Sequence, residues 1–403
     1  MNPLHILYIC QYFPPEMGAP AARAFEFARR WVKAGHRVSV VCGIPNHPTG
    51  EIYPGYRRRW RFHEVEEGID VYRMWVYVTP NTGTFRRSIN YLSFGMSAVI
   101  GSIGIRDIDV CIASTPQFFA GVAGTVIKKL KRIPLALEVR DLWPDSIEAV
   151  NMSSGGIMLA VLRRIETFMY RSADSIVIVS PAFRSHIEHK GIRAECIHVV
   201  PNGVSTSLFS PSTTRERRRL SAFGDDFIVA YIGTFGLAHG LESAIEAARV
   251  LRNDERIRFL FIGEGARKNA LMKMAADLPN VSFMDRQARD VIAEILREID
   301  VALVLLRDIP LFATVIPSKM FEIMGSGKPM ILGVRGQARE ILEVADAGIA
   351  VEPENVQALV TAIRRFRTEP ELAGRYGKNA CLHVVENYDL DLLAQRYLLT
   401  LPH

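Results

Sequence analysis

The chain has 403 residues, 49% of them hydrophobic and 23% charged, which excludes a disordered or fibrous protein and is too long for one ordinary core. A formal net charge of +6 favours anionic partners: nucleotide phosphates, a lipid headgroup surface or nucleic acid. The five cysteines form no CxxC pair and sit mostly in apolar runs, which argues for buried free thiols over a disulfide framework or a metal site.

Leu4–Cys10 has the length and apolarity of a first strand, without the basic n-region of an export signal, so a cytoplasmic protein is expected. The loop QYFPPEMGAP follows, then a helix over about Ala21–Ala34 and a second strand, Arg37–Cys42. This β-loop-α-β unit opens a parallel sheet with helices on its faces. The loop holds Gly18 but no GxGxxG, so a dinucleotide fingerprint is absent. Gly18 and Ala19 ahead of the helix still allow an anion close to backbone N–H groups, and Arg23 could add a fork of donors; a plain strand-to-helix connection is the competing reading.

Residues 45–62 form an excursion in which Arg57, Arg58, Arg59 and Arg61 interleave with Tyr56, Trp60 and Phe62. That mixture suits a membrane interface, nucleic acid or a solvated loop tip. Arg86 and Arg87 then precede an uncharged run, Ser88–Ile105, read as a core helix first, a helix docked on a membrane second and a span last. Asp109–Ala113 is a strand, Val122–Lys131 a helix and Pro134–Glu138 a strand that delivers EVRDLWPDS to its C-terminal end. Ligands bind at that end of a parallel sheet, so Arg140 and Asp141 are site candidates; an ion-paired loop is the alternative.

After the strand Ser175–Ser180 and the segment PNGV, residues 205–224 turn Ser/Thr-rich and then basic, as a linker would. The β/α pattern restarts with Phe227–Ile232, the loop GTFGLAHG, a helix over Leu241–Leu251 and the strand Ile257–Ile262, which runs into GEGAR. Gly233, Thr234 and Gly263 are a plausible phosphate cradle, and His239 reads equally as a ligand or as a capping or core histidine. The stretch TVIPSKMFEIMGSGKP predicts a short helix capped by Ser318. At about 100° per residue, Met320, Phe321, Ile323 and Met324 share one side, with Ser318, Lys319, Glu322 and Ser326 on the other. An i,i+3 Lys319–Glu322 pair on a solvated face is the bland reading. Helices near 355–367, 370–385 and 389–400 close the chain, the last able to cross back to the first domain.

These features together resemble the retaining sugar-nucleotide glycosyltransferases of family 4, with two Rossmann-like α/β domains facing each other across a cleft in the GT-B fold. YFPPEMGAPAAR, EVRDLWPDS and VIPSKMFE bring it nearest to the bacterial N-acetyl-fucosamine and amino-sugar transferases of O-antigen, capsule and colanic acid assembly. The resemblance implies an acceptor-binding domain over 1–204, a linker over 205–225, a nucleotide-sugar domain over 226–385 and a C-terminal helix over 386–403. It implies transfer from a UDP-sugar to a lipid-linked saccharide at the inner membrane face, without metal or other cofactor and without nucleic acid. Glu322 matches the second glutamate of the family's Glu-x7-Glu motif, which holds the ribose, whereas Thr314 stands where the first would be. Thr234 and His239 fall where many members carry Arg and Lys for the diphosphate, leaving Arg286, Lys319 and the backbone of the glycine loops as replacements, with Ser318 among the donor-binding residues. Arg140 and Asp141 would face the reacting sugar, Asp141 orienting hydroxyls. Gly18, Ala19 and Arg23 would serve the acceptor or a phosphate, and Arg57, Arg58, Arg59, Trp60, Arg86 and Arg87 the membrane. A UDP-sugar 2-epimerase of the same fold and a non-catalytic ligand-binding protein are the alternatives.

Overall fold

A computed structural model describes residues 2–16, 18–47, 50–57, 59–79, 84–115, 117–145, 156–212, 218–254 and 256–402. The chain divides into two compact units, Met1–Pro201 with Asp391–His403, and Asn202–Leu390.

The first unit carries strands β1 (His5–Ile9), β2 (Arg37–Gly43), β3 (Arg61–Glu66), β4 (Ile69–Met74), β5 (Val110–Thr115), β6 (Leu135–Val139), β7 (Ser175–Ile178) and β8 (Ile197–Val199). Their order is β3-β4-β2-β1-β5-β6-β7-β8, parallel throughout except for the antiparallel β3–β4 hairpin. The order reverses between β1 and β5, the place where loops diverge and leave a crevice in such sheets. The inner strands are continuous apolar runs because helices cover both of their faces. On one face, helices Thr84–Ile103, Phe118–Lys131 and Ile157–Ser172 share a core with Leu7, Ile9, Cys111 and Leu137. On the other, Phe27 and Trp31 of helix Ala19–Lys33 pack edge-on against Tyr397 of the C-terminal segment, at centroid distances of 5.4 and 5.2 Å. The Trp31 indole N–H also donates to Ala394 O, 3.1 Å away.

The hairpin was not expected. Part of the excursion and the residues after it form β3 and β4, joined at Glu67–Gly68 with φ of 45° and 80°, the left-handed turn that suits a two-residue hairpin. The alternation of β3 is exposed/half-buried and not polar/apolar, so a strand at the sheet's edge left little hydrophobic signal.

The second unit carries β9 (Phe227–Ile232), β10 (Ile257–Ile262), β11 (Val281–Met284), β12 (Val301–Leu305), β13 (Met330–Gly333) and β14 (Gly348–Ala350), all parallel, in the order β11-β10-β9-β12-β13-β14. Its reversal lies between β9 and β12. Two hydrophobic layers flank the sheet, one containing helix Lys319–Gly325 and the other helices Glu242–Val250 and Val356–Thr368. The stretch 205–225 is not a free linker where it is described: Phe209 and Leu220 are buried in this unit's core, and Arg297 donates to Leu208 O and Ser210 O. A Ser/Thr-rich, basic segment hides this because two apolar anchors make no periodic pattern.

Candidate functional site

At the C-terminal edge of the second sheet, the loops after β9 and β10 are laced together. Gly233 N donates to Ile262 O (2.9 Å), Phe235 N to Glu264 O (2.8 Å) and Arg267 N to Phe235 O (2.9 Å). The approach is so close that a Cβ on Gly263, whose φ is +149°, would lie 1.8 Å from Gly233 O. Only glycine fits there, which explains the glycines in GTFG and GEG.

Helix Lys319–Gly325 runs into this edge with Met320, Phe321, Ile323 and Met324 buried, as its pattern requires. Its polar side departs from expectation in three ways. Ser318 is half-buried with helical φ and ψ and makes no side-chain cap bond, so the capping role is not observed. Ser326 is buried and donates to Glu322 O, and Gly325 packs on Phe209 O, so the far end of the face is not solvated. Finally, the Lys319–Glu322 ion pair does not form. Lys319 turns inward: its Nζ lies 3.8 Å from the Tyr231 ring centroid, beside Gly233, sealed from solvent and without a hydrogen-bond partner. Burial pushes its pKa down to about 7, against the pull of the Glu322 charge. Glu322 instead accepts from Arg289, with Nη2 3.1 Å and Nε 3.3 Å from Oε1.

His239 sits on the short turn Leu237–His239 with its ring 6.1 Å from that of Tyr231 and its Nδ1 buried and unbonded. Burial, then the Lys319 charge, push its pKa down to about 4, so it brings a neutral ring to the loop where a cation was sought. Thr234 is exposed and its carbonyl accepts the Tyr231 hydroxyl at 2.9 Å. Thr314 donates to Leu311 O within its own turn. Arg286 is exposed in the loop just after β11, with Arg289 three residues further on at the start of helix Arg289–Glu298. Arg289 is the residue that sequence reasoning missed; its position in the first turn of a helix after β11, facing the helix that carries Glu322, was the available signal. Gly233, Lys319, His239 and Tyr231 therefore gather at one point, Glu322 and Arg289 pair beside it, and Thr314 and Arg286 stand apart from those contacts.

In the first unit, β6 delivers Glu138 to a fully buried position, where it accepts from Arg23 Nε (2.9 Å), Ser114 Oγ (2.6 Å) and Tyr8 OH (3.0 Å). Burial acts to raise its pKa, but Arg23 and Arg140 outweigh it, so the carboxyl is held below its usual range. Arg23 spends its other donors on Val200 O and Pro201 O and is 5% exposed. It is a buried structural cation and not a phosphate anchor. Gly18 and Ala19 are exposed at the start of helix Ala19–Lys33, and Ala19 O accepts from Arg140 Nη2 at 3.2 Å. Arg140 Nε is buried and unbonded, and burial lowers its pKa. Asp141 is half-buried beside it.

Of the basic and aromatic residues assigned to a membrane, Arg57, Arg59, Trp60 and Arg86 are exposed, while Arg58 and the side chain of Arg87 lie outside the described residues. The Trp60 ring stacks on Trp75, and the Arg59 guanidinium lies over Phe62. The uncharged run is a helix with Phe94 and Ala98 buried and Leu92, Met96, Ile100 and Ile103 exposed; no described helix is long and apolar enough to cross a membrane.

Residues 18–203 match the family model described as a glycosyl transferase 4-like domain, and residues 212–382 match that of glycosyl transferases group 1. The chain is 28% identical over 374 residues to WcaI of Escherichia coli (strain K12), named as a candidate colanic acid biosynthesis glycosyl transferase, covering 89% of this chain and 91% of that one. It is 21% identical over 402 residues to glycogen synthase of Mycobacterium tuberculosis (strain ATCC 25618 / H37Rv), covering 97% and 92%. Among solved structures, Anabaena HepE in complex with UDP and glucose superposes with a TM-score of 0.73 at 18% identity, over 98% of this chain and 99% of that one. WaaG, a glycosyltransferase involved in lipopolysaccharide biosynthesis, gives 0.67 at 12%, over 97% and 98%. At these identities the superpositions show the fold, and the two family models, meeting near the boundary between the units, show the lineage. The chain belongs to the family-4 glycosyltransferases with the GT-B fold, and it is a sugar-transferring enzyme.

Proposed function

We propose that the protein is a retaining glycosyltransferase that moves an N-acetylated amino sugar from a UDP-sugar to a lipid-linked saccharide. In this reading it serves O-antigen, capsule or related surface polysaccharide synthesis as a metal-independent enzyme held at the inner membrane face. The observation that carries the donor side is Lys319 Nζ, buried and unbonded against the Gly233 loop, where a diphosphate would supply the missing partner. A departing nucleoside diphosphate gains negative charge, and a preorganised cation with N–H dipoles lowers that barrier. In this reading Glu322, paired with Arg289, accepts from two ribose hydroxyls, and Arg140 and Asp141 serve the reacting sugar. The UDP complexes solved for HepE and the colanic acid role named for WcaI support the choice of donor class and pathway type. Retention is carried by the family-4 resemblance.

Incubation with a panel of nucleotide sugars in EDTA, read by mass spectrometry, tests this. Slow release of UDP from a UDP-amino sugar is expected, and release from no UDP-sugar would overturn the donor assignment. Glu322→Ala should weaken donor binding by about 1–3 kcal/mol, the range for leaving buried polar partners unpaired.

A further inference from the structure

The loop Arg140–Asp145, which leaves β6 toward the candidate site, is fastened along its length. Arg140 N donates to Thr115 O at 3.1 Å, and the Trp143 ring packs on Phe118 at 5.1 Å. At the far end Asp145 is half-buried and its Oδ1 accepts from Arg163 Nε at 3.0 Å, while His186 Nδ1 lies 3.7 Å from its Oδ2. His186 belongs to the short helix Phe183–Glu188, and its Nε2 lies 3.2 Å from Glu166 Oε1. Glu166 is 1% exposed, and its second oxygen accepts from Lys190 Nζ. Burial, then the Glu166 charge and a hydrogen bond to Glu166, push the Tyr170 phenol up, and the charges of Asp145 and Asp141 add to that rise. Tyr170 therefore stands among all three carboxylates. A buried carboxylate is costly unless paired, and Lys190 already pairs Glu166. What the His186 bond adds is direction: with one ring nitrogen spent on a fixed, buried oxygen, the other is aimed at Asp145. At 3.7 Å that arm is an ion-pair contact and not yet a hydrogen bond, which leaves it room to shorten when a ligand is bound. Of the two groups on Asp145, the Arg163 side chain is 46% exposed and that of His186 23%, so water screens the arginine more.

We propose that His186 is a positioning residue for the transfer reaction: held by Glu166, it grips Asp145 and so sets the Arg140–Asp145 loop, and with it Asp141, for the reacting sugar. The proposal rests on the transferase reading, in which Arg140 and Asp141 serve that sugar, and deepens it by naming what holds them in place. His186 is assigned no contact with sugar or nucleotide. Its effect passes through Asp145, which follows Asp141 and Trp143 on the same loop.

The test uses the full chain labelled with 5-fluorotryptophan, the Trp143 fluorine signal being assigned by its loss in Trp143→Phe. His186→Gln keeps a donor for Glu166 and drops the arm to Asp145; because Lys190 still pairs Glu166, the urea midpoint should stay close to that of the wild type. The Trp143 signal should shift or broaden, and Asp145→Asn, at a partly exposed position that tolerates the change, should do the same even if the histidine variant does not fold. UDP release from the UDP-sugar that the wild type turns over fastest should slow about tenfold or more in kcat, as misplaced reacting groups do, with KM for the donor little changed. His186→Gln combined with Asp145→Asn should cost little more than Asp145→Asn alone, because both break one contact. A merely structural histidine would lower the urea midpoint and leave the Trp143 signal and kcat of the folded protein as they are. That outcome, or additive losses in the double variant, would overturn the proposal. UDP release from no UDP-sugar by the wild type would overturn the donor reading instead, while the fluorine signals of the two single variants and the double variant still decide whether His186 holds the loop.

Discussion

Lys319 is where local chemistry and proposed function meet most tightly. An ammonium on a face with a carboxylate three residues away would ordinarily form a weak surface pair. Here the chain directs it onto the Tyr231 ring, where burial lowers its pKa to about 7 from 10.5. Between those values the unfolded chain keeps a proton that the folded chain has released, so this group's contribution to stability rises with pH across that window. Binding a diphosphate would favour the charged form, so calorimetry of UDP binding at about pH 8, in two buffers of different ionisation enthalpy, should show uptake of up to one proton. Lys319→Met should remove that uptake; the same uptake in the variant would show that another group titrates. The buried Arg23–Glu138 pair makes the complementary point. Arg23 was legible as a cation near a loop, but not as one already committed to a carboxylate and two carbonyls, because its partners are 115, 177 and 178 residues away.

At the scale of elements, most of the sheet-forming runs were readable because inner parallel strands are apolar on both faces. β3 was not: it pairs on one side only and half-exposes its residues. The short helix Lys319–Gly325 was placed correctly by period, but its cap and the solvent exposure of its far end were not, since Phe209, from a segment without periodicity, covers Gly325. The paired glycine loops are the element that brings Lys319 and His239 together. Gly263→Ala would force a Cβ into the Gly233 carbonyl in a left-handed backbone. A loss of about 1–3 kcal/mol, as for overpacking, is expected in urea unfolding, with weaker UDP binding. Unchanged stability would mean that the loops are not held as described.

For the whole molecule, the proposal of a membrane-held enzyme is tested at the outer helices of the first unit. Helices Thr84–Ile103, Phe118–Lys131 and Ile157–Ser172 cover one face of the sheet and expose Met96, Ile100, Leu130, Val161 and Phe168. The first two helices contain no acidic residue, and Glu166 of the third is buried. Apolar stripes with a basic fringe suit an anionic bilayer surface. Flotation with phosphatidylcholine–phosphatidylglycerol vesicles should recover the protein, and Met96→Gln with Leu130→Gln should lower the bound fraction severalfold; undiminished flotation would sink the docking proposal. Tyr397→Ala, which empties the contact with Phe27 and Trp31, should cost about 3–5 kcal/mol, as large buried aromatics do. An unchanged urea midpoint would contradict the assignment of Asp391–His403 to the first unit.

Hydrophobic periodicity and turn chemistry by themselves determined two β/α units, most of their inner strands, and a short helix displaying Lys319 and Glu322, because those are properties of neighbours in the chain. Tertiary structure alone decided that Glu322 pairs with Arg289, that the Lys319 ammonium is buried against the Tyr231 ring without a hydrogen-bond partner, that Arg23 is spent on Glu138, and that Glu16 Oε2 is buried without a hydrogen bond. Each of these depends on burial and on partners brought together by crossover connections, and no local pattern encodes the desolvation that sets their charge.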